Sequence, residues 1–415
     1  MTNVRKLSRF DARTMALTSV AALLGATAAL AGGGQYTLTN LGVPTGASSA
    51  IGVRMNNLGH VAGWSQYFGQ GEPSLRGWVW TPQDGFTVLE SPPDMFLGRF
   101  RAMDISDTGI VGGDGGFDIG LAWRLQDGVY TITGAAGGMP GAYLGGINDA
   151  GDLAGTAKDG TITTPDLAWL DVNGGELVNL TPDSGGRATD INNVREISGY
   201  SQGPLSGFEA FRWDSENGFQ FLGTMGLAYS FGFALNDVGQ VVGRIASASG
   251  NTTFPFIYTD GIGMQQIPAP VTQHTTASAV NINGHVVGTA DMSGGDLAWL
   301  WTGGSTVTDL NSLFDFPAEN VNLVASHDIN DAGQILAMGF DNNVAEWRMV
   351  ILTPPAARLT GDVDGDGVVG ILDFLALLDA WGPCPGPPEP CPADLDGDGV
   401  VGITDFLIVL GNWTQ

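Results

Sequence analysis

The sequence has very few positive charges. Lysine occurs only as Lys6 and Lys158, and 16 basic residues stand against 43 acidic ones, which gives a formal net charge of −27. A surface this acidic repels the phosphates of nucleic acids and of anionic lipids. We therefore exclude nucleic acids and anionic lipid surfaces as partners.

Histidine and cysteine are also scarce. The four histidines do not cluster, there is no His-Glu-x-x-His motif, and His60 and His285 stand where other repeats have Asp or Gln. The segment 199–203 matches Gly-x-Ser-x-Gly, but a proline follows it instead of a helix, so we interpret it as a strand end. Cys384 and Cys391 allow at most one intramolecular disulfide, and in an exported protein they either close a small loop or remain free. The sequence thus predicts no catalytic residues.

Long apolar runs are missing as well. The N-terminal apolar segment, Met15 to Leu30, is shorter than the ~20 residues that span a bilayer. Basic residues precede it, and Ala29-Leu30-Ala31 forms an Ala-x-Ala cleavage site. Residues 1–31 therefore predict a secretory signal peptide. We expect a mature chain that is secreted or held at the cell surface, with no membrane span.

Glycine, in contrast, is abundant, with 64 residues, and much of it lies in one repeated phrase, A-x-x-(I/L/V)-N-x-x-G-x-(V/I/L)-(V/A)-G. Seven copies follow one another at intervals of 42 to 50 residues. Asn followed by Gly, with apolar residues on both sides, predicts the tight turn of a β-hairpin. The clearest copies are Ile147–Gly155, Leu235–Gly243 and Val280–Gly288, and looser ones centre on Gly59, Gly109, Arg195 and Gly333.

A second hairpin follows each copy, so every repeat predicts four strands, the content of one propeller blade. The seventh repeat lacks its fourth strand, because only Trp347–Leu352 follows it. The segment Tyr36–Gly42, before the first copy, predicts the missing strand and would close the ring. We therefore predict a mainly β fold in which residues 32–353 form a seven-bladed β-propeller of ~45-residue repeats. An open β-solenoid is the alternative.

A large aromatic residue recurs in the third strand of each repeat. Such a row is either a stacking platform for sugars or one space-filling residue per blade, and its regular position favours packing. The Ala-Phe-x-Trp pattern of residues 210–213, together with the repeated phrase, resembles the HAF-type repeats of extracellular bacterial proteins. The resemblance implies export and a β-repeat fold, but no particular activity. The aromatic residues are Trp78, Trp80, Trp123, Trp169, Phe211, Trp213, Phe256, Trp299 and Trp347.

The chain becomes strongly acidic after a short linker, residues 354–358. Two twelve-residue segments, Asp362–Asp373 and Asp394–Asp405, place Asp at positions 1, 3, 5 and 12 and Gly at position 6. This is the arrangement of an EF-hand calcium loop, in which oxygen ligands surround a hard cation and position 7 offers its backbone carbonyl. Each loop leads into a helical pattern with one apolar face, and we expect the two helices to pack against each other through these faces. The apolar positions are Phe374, Leu377, Leu378 and Trp381, and then Phe406, Val409, Leu410 and Trp413.

Two loop–helix units without an entering helix resemble a type I dockerin of the GC-type variant. The resemblance predicts a small α-helical, EF-hand-like domain over residues 359–415, two bound Ca²⁺ ions, and a cohesin-like or cell-surface protein as partner. Ile371-Leu372 and Ile403-Thr404 depart from the small hydroxyl residues of cellulosomal dockerins, which argues against ordinary cohesin recognition. By the resemblance, the ligands are Asp362, Asp364, Asp366, Val368 and Asp373 for one ion, and Asp394, Asp396, Asp398, Val400 and Asp405 for the other.

Two functions fit this organisation. The favoured one is an exported, non-catalytic binding or scaffold protein, whose propeller presents a surface to a ligand such as a glycan while the dockerin-like module anchors it. The alternative is a dockerin-bearing glycoside hydrolase of polysaccharide breakdown, which needs two carboxylates ~5–10 Å apart. The acids available in the repeats are interpreted as turn residues, because Asn and Asp interchange there. They include Asp149, Asp190, Asp237 and Asp331.

Overall fold

Seven four-stranded antiparallel sheets account for the repeat region in the computed structural model of this chain. The chain divides into two compact units, Tyr36–Thr353 and Pro354–Gln415. The predicted signal peptide and residues 356–358 of the predicted linker lie outside the described residues. The structure describes residues 35–68, 74–92, 99–116, 120–134, 136–159, 165–175, 177–181, 183–204, 207–269, 274–292, 296–315, 319–355, 359–364, 368–385 and 391–414.

Each sheet is one blade, and in six of the seven the strands follow the order of the chain. Blade 1 contains β2 (Ser49–Met55), β3 (Val61–Gln66), β4 (Leu75–Thr81) and β5 (Gly85–Val88). Blade 2 contains β6 (Phe100–Ile105), β7 (Val111–Gly115), β8 (Leu121–Gln126) and β9 (Val129–Thr133). Blade 3 contains β10 (Gly141–Ile147), β11 (Leu153–Lys158), β12 (Leu167–Asp171) and β13 (Leu177–Asn179). Blade 4 contains β14 (Gly186–Ile191), β15 (Ile197–Gln202), β16 (Phe208–Asp214) and β17 (Gly218–Phe221).

The remaining blades complete the ring. Blade 5 contains β18 (Tyr229–Leu235), β19 (Val241–Ala246), β20 (Thr253–Thr259) and β21 (Gly263–Gln266). Blade 6 contains β22 (His274–Val280), β23 (Val286–Asp291), β24 (Leu297–Trp301) and β25 (Thr308–Asp309). Blade 7 contains β26 (Val321–Ile329), β27 (Ile335–Asp341), β28 (Glu346–Thr353) and, from the start of the chain, β1 (Thr37–Gly42).

The first strand of the chain closes the last blade. Strand β1 pairs with β28 in antiparallel register, from Thr37 opposite Thr353 to Gly42 opposite Met349. The edge of β28 is therefore covered, as the sequence predicted, and the open solenoid is excluded. The prediction of a seven-bladed propeller is confirmed.

The hydrophobic core lies between the blades. Among the described residues, the buried apolar side chains of the propeller form seven clusters, each shared by two neighbouring blades. One cluster joins Leu41 and Met349 of blade 7 to Trp78 of blade 1, so apolar burial continues across the closure. This arrangement explains why every repeat needs apolar residues on both faces of its sheet.

The third-strand aromatics belong to these clusters. Trp78, Trp123, Trp169, Phe211, Phe256 and Trp299 are fully buried, so the packing interpretation is correct for them. The interpretation is wrong for Trp347, which is 51% exposed and contacts Phe340 edge-on at 5.4 Å. The register of blade 7 places Val350 at the equivalent position, opposite Ala337.

The C-terminal unit contains two nine-residue helices, α1 (Ile371–Asp379) and α2 (Ile403–Gly411). The short strands β29 (Gly382–Pro383) and β30 (Val400–Val401) pair with each other. Leu377 and Val409 are buried in the small core of this unit. The rings of Phe374 and Phe406 lie 5.5 Å apart, so the predicted contact between the helices exists.

The sequence predicted a wider buried apolar face on these helices than the structure shows. Leu378, Trp381, Leu410 and Trp413 are exposed rather than buried. Two helices of nine residues offer each other only a short surface, so the outer positions of the periodic pattern stay exposed. Cys384 and Cys391 form a disulfide, which resolves the two alternatives of the sequence in favour of a closed loop.

Candidate functional site

The second calcium loop brings three carboxylates together. One oxygen each of Asp394, Asp396 and Asp398 lie within 4.8 Å of one another. The turn that achieves this requires Gly399, at position 6, because its φ of +88° is a left-handed conformation. The Asp394 side chain accepts hydrogen bonds from the N–H groups of Gly397 and Gly399, both at 2.9 Å, which hold the loop around it. Oxygen donors in this arrangement suit a hard cation such as Ca²⁺.

In the first loop, the close group contains the aspartates of positions 1, 3 and 12. Oxygens of Asp362, Asp364 and Asp373 lie within 4.8 Å of one another. Asp366, the predicted ligand at position 5, lies outside the described residues. Val368, the predicted carbonyl ligand, lies just after that gap and three residues before Ile371, where helix α1 begins.

The aspartates at position 12 connect each loop to its helix. Both are almost completely buried. Asp373 accepts hydrogen bonds from the N–H groups of Val363 (2.7 Å) and Gly370 (2.7 Å), and Asp405 accepts the corresponding bonds from Leu395 (2.6 Å) and Gly402 (2.7 Å). These bonds fix the first turn of each helix against the loop.

The same bonds keep the position-12 carboxylates ionised. Burial alone would raise their pKa values, but the hydrogen bonds from backbone N–H groups outweigh it and lower the pKa of Asp373 and of Asp405. Among the described residues, Asp405 is not part of the close group formed by Asp394, Asp396 and Asp398. Its role as a ligand of the second ion therefore remains a prediction.

The seven turns of the propeller form a second candidate site around the ring axis. Here the repeated Asn does more than shape its own turn. The Oδ1 of Asn281 accepts the N–H of His285 within the turn, at 3.0 Å, and its Nδ2 donates to the carbonyl of Asn330 in the next blade, also at 3.0 Å. Asn330 in turn donates to the carbonyl of Asn56 at 3.1 Å, across the closure of the ring.

The link recurs around the ring with one exception. Asn56, Asn148, Asn192 and Asn236 each donate to the backbone carbonyl of the following blade. In blade 2 the place of this Asn is taken by Ser106. The Ser106 hydroxyl contacts the hydroxyl of Thr108 and accepts a hydrogen bond from the N–H of Ile110 within the same turn. The described turns therefore contain six of seven inter-blade amide links.

The residue after each Asn forms an outer ring. Asp149 accepts the N–H of Asp107 in the preceding blade at 2.7 Å, and Asp331 accepts that of Ile282 at 2.8 Å. The interpretation of these acids as residues of single turns is thus incomplete. The sequence did not predict this ring, although Asn or Asp at two adjacent positions in five of the seven repeats was the available signal.

A cavity of about 160 Å³ lies on the axis, lined by residues of all seven blades. Arg54 projects into it and lies 3.8 Å from Asp190 and 3.8 Å from Asp328. Asp190 is therefore not a turn residue, which corrects the sequence interpretation. Burial raises the pKa of Asp190 to about 7 and that of Asp328 to about 6, against the opposing effect of Arg54.

These buried carboxylates also join blades. Asp328 accepts the N–H of Met55 at 2.7 Å, Asp104 that of Ile147 at 2.9 Å, and Asp190 that of Leu235 at 3.1 Å. Their second oxygens accept the N–H of the next residue in their own strand. The arrangement fixes the blades around the axis.

The remaining sequence candidates are structural. Ser201 of the Gly-x-Ser-x-Gly match is buried in β15, and its hydroxyl donates to the carbonyl of Gly185 at 2.7 Å. The N–H groups of His60 and His285 bond to the turn asparagines, as expected for turn residues. No helix in the described part of the chain is long and apolar enough to cross a bilayer.

Residues 360–411 match the family model of the dockerin type I domain. Type I dockerins bind calcium and cohesins and occur in extracellular proteins. The resemblance inferred from the loop–helix pattern is therefore confirmed for the C-terminal unit. A search of the curated proteins found no match for the chain.

Solved structures resemble the chain only weakly. They include TolB from Acinetobacter baumannii, at 12% identity and a TM-score of 0.40, covering 60% of this chain and 62% of that one. An acylaminoacyl peptidase from Pyrococcus horikoshii shows 13% identity and a TM-score of 0.46, covering 71% and 50%. Aleuria aurantia lectin shows 14% identity and a TM-score of 0.35, covering 64% and 96%. This chain spans less than two thirds of the first two, and such low similarity carries no functional argument.

Proposed function

We propose that the dockerin type I domain anchors an exported, non-catalytic propeller to a cohesin-like or cell-surface protein in a calcium-dependent manner. The observation that carries the proposal is the convergence of three carboxylates in each C-terminal loop, within residues that match the dockerin family. The propeller is then the module that is presented to a ligand. Export rests on the predicted signal peptide and on the dockerin match.

Two calcium ions are proposed, one for each loop. Position-12 aspartates tie the loops to the helices, so neutralising the loop carboxylates stabilises the helix start as well. The proposed ligands of the first ion are Asp362, Asp364, Asp366 and Asp373 with the carbonyl of Val368. Those of the second ion are Asp394, Asp396, Asp398 and Asp405 with the carbonyl of Val400.

The surface beside the loops selects the partner. Ile371 and Leu372 at the start of α1, and Ile403 at the start of α2, are all more than half exposed. An anchoring protein that covers them needs apolar side chains opposite these three residues. We therefore expect a cohesin-like partner with an apolar contact face.

A second function is supported by one observation. The raised pKa of Asp190, which shares Arg54 with Asp328 in an axial cavity, is typical of an acid catalyst of glycoside hydrolysis. Two facts favour the non-catalytic role. The carboxylates accept backbone N–H bonds that join blades, and the cavity of about 160 Å³ is smaller than the ~300 Å³ of an ordinary ligand pocket.

Binding to immobilised cohesin-like domains that have an apolar contact face, in calcium and in EGTA, tests the anchoring role. We expect retention in calcium only, and loss of retention in the double variant Asp364→Ala and Asp396→Ala. Asp379→Ala, which removes an exposed acid outside both loops, is the matched control and should bind normally. Equal retention in EGTA would contradict calcium-dependent anchoring.

A reducing-end assay on a panel of polysaccharides separates the two functions. The non-catalytic proposal predicts no product above that of a heat-inactivated sample. Product formation that disappears in Asp190→Asn would establish the hydrolase instead.

A further inference from the structure

An aromatic patch joins blades 4 and 5 of the propeller. We define it by five residues, all of which are partly exposed to solvent: Tyr200, Phe208, Tyr229, Phe231 and Phe233. The ring of Tyr200 meets that of Phe231 edge-on at 4.9 Å and that of Phe208 edge-on at 5.7 Å. Unlike the third-strand aromatics, these rings remain accessible to a ligand.

The β-bulge in blade 5 helps to build the patch. The register between β18 and β19 shifts between Gly232 and Ala234, so Phe233 is the extra residue. A bulge turns one side chain away from the regular alternation of the strand. Phe233 and Phe231 can therefore both contact Arg244, whose guanidinium carbon lies 5.6 Å and 5.3 Å from the two ring centres.

Among the residues that the structure describes, Arg244 has no counter-ion. Its Nε is buried and has no hydrogen-bond partner. Within the described ranges, no carboxylate oxygen lies within 4.0 Å of its guanidinium. Leaving guanidinium donors unpaired in a partly buried place is costly, and an anion that enters the patch would remove that cost.

Positive charge continues from the patch into blade 3. Arg187 lies 5.8 Å from the ring of Tyr200, and Lys158 lies 5.2 Å from the ring of Tyr143. Both cations share a single acid, Asp166, at 2.6 Å and 3.8 Å. Lys158 and Arg187 therefore compete for one carboxylate, while the salt bridges of the described residues give Arg244 none. The cations along this path favour the approach of an anionic ligand to Arg244.

We infer that the aromatic patch with Arg244 binds a carboxylate-bearing sugar, such as a uronate unit of an acidic polysaccharide. The negative faces of aromatic rings attract the C–H groups on one side of a sugar ring. A guanidinium presents two parallel N–H donors to a carboxylate. A uronate joins these two features in one residue. The inference deepens the proposed binding role of the propeller by naming its ligand class.

Calorimetric titration of the full chain with short oligogalacturonates tests the inference. We expect saturable binding that weakens with added salt, and no binding of the methyl-esterified oligomers, which keep the ring but lose the charge. Arg244→Met should weaken binding at least about tenfold, the loss of one charge-assisted hydrogen-bonding group. Arg348→Met makes the same change of charge in blade 7, where Arg348 pairs with Glu346, and should leave affinity unchanged.

A second variant tests the patch without disturbing the fold. Phe208 is exposed at the start of β16, so Phe208→Ala should fold normally and weaken binding several-fold through lost stacking. The inference would be overturned if the unaltered chain bound the methyl ester or oligoglutamate as tightly as the oligogalacturonates, or did not bind the oligogalacturonates at all. It would also be overturned if Arg244→Met bound the oligogalacturonates as tightly as the parent. These results leave calcium uptake by the C-terminal loops untouched, so failure here is distinguishable from failure of the anchoring role.

Discussion

Gly288 lies directly opposite Trp299 in blade 6, and the indole occupies the space that a side chain at Gly288 would need. A Cβ at this position would come within 2.1 Å of the ring carbon Cζ2 and within 2.2 Å of the carbonyl oxygen of Thr276. The last glycine of the repeated phrase is therefore paired with the buried aromatic of the third strand. In blade 7 this pair is Ala337 and Val350. The alanine is larger than the glycine it replaces, and the valine is smaller than the aromatic residue it replaces.

Substituting this glycine should destabilise the propeller. Because the ring and the backbone both obstruct the new methyl group, Gly288→Ala should lower the free energy of unfolding by about 3 kcal/mol. Urea denaturation followed by tryptophan fluorescence measures the change. Gly304→Ala is the control, since no atom lies within 4 Å of a Cβ there, and its midpoint should stay near that of the parent. Equal midpoints for the two variants would contradict the packing relationship.

The missing amide link predicts a stabilising substitution. Ser106→Asn should supply the Nδ2 that the other six blades use, and its Oδ1 can replace the hydroxyl that accepts the N–H of Ile110. The gain in unfolding free energy should be about 1 kcal/mol, the net value of one hydrogen bond.

The reverse change tests the same ring. Asn281→Ala leaves the N–H of His285 and the carbonyl of Asn330 without these partners, and should cost about 2 kcal/mol. Thermal unfolding of both variants measures the effects. If Ser106→Asn melts at a lower temperature than the parent, or Asn281→Ala melts at the same temperature as the parent, the ring of amide links does not stabilise the propeller.

The axial carboxylates predict a pH dependence. Burial raises the pKa of Asp190 from 3.8 to about 7, so the folded chain retains a proton that the unfolded chain releases. Its contribution to stability is therefore complete below about pH 4 and is lost as the pH rises to about 7. The same cavity is lined by Arg54, Asp104 and Asp328. His327 interacts with Arg54, and burial lowers the pKa of His327 to about 4, so the titration of His327 changes stability in the opposite direction.

The variant Asp190→Asn isolates this one group. Relative to the parent, it should gain about 2 kcal/mol of unfolding free energy between about pH 5 and pH 8, because it no longer has a proton to lose. Denaturation at several pH values measures the difference between the two chains. Parallel pH profiles would show that Asp190 titrates normally.

The sequence predicted the strands and turns better than the contacts between distant parts of the chain. The repeated phrase located the hairpins, and the orphan strand before the first copy located the closure. The bond from Asn330 to Asn56 joins residues 274 positions apart, so nothing in a local pattern points to it. The Arg54 contacts are equally remote, because Asp190 and Asp328 belong to blades 4 and 7.

The C-terminal unit shows a different limit. Position and residue type were enough to locate two loops in which carboxylates converge, because binding of a hard cation requires both. Helical periodicity also selected Leu378 and Trp381 as core, yet both are exposed. Periodicity identifies an apolar face, but the size of the neighbouring helix decides how much of that face is buried. The sequence could not identify Arg244 as a candidate binding residue, because the surroundings of its side chain depend on a β-bulge and on side chains from two blades.

The calcium content of the dockerin domain tests the central claim most directly. Titration of the full chain with Ca²⁺ should show two ions bound, with a gain of helical signal that EGTA reverses, because the ion offsets the repulsion among the clustered aspartates. The double variant Asp364→Ala and Asp396→Ala should bind none, and Asp379→Ala should bind both. No uptake at millimolar Ca²⁺, or uptake that the double variant retains, would contradict the account.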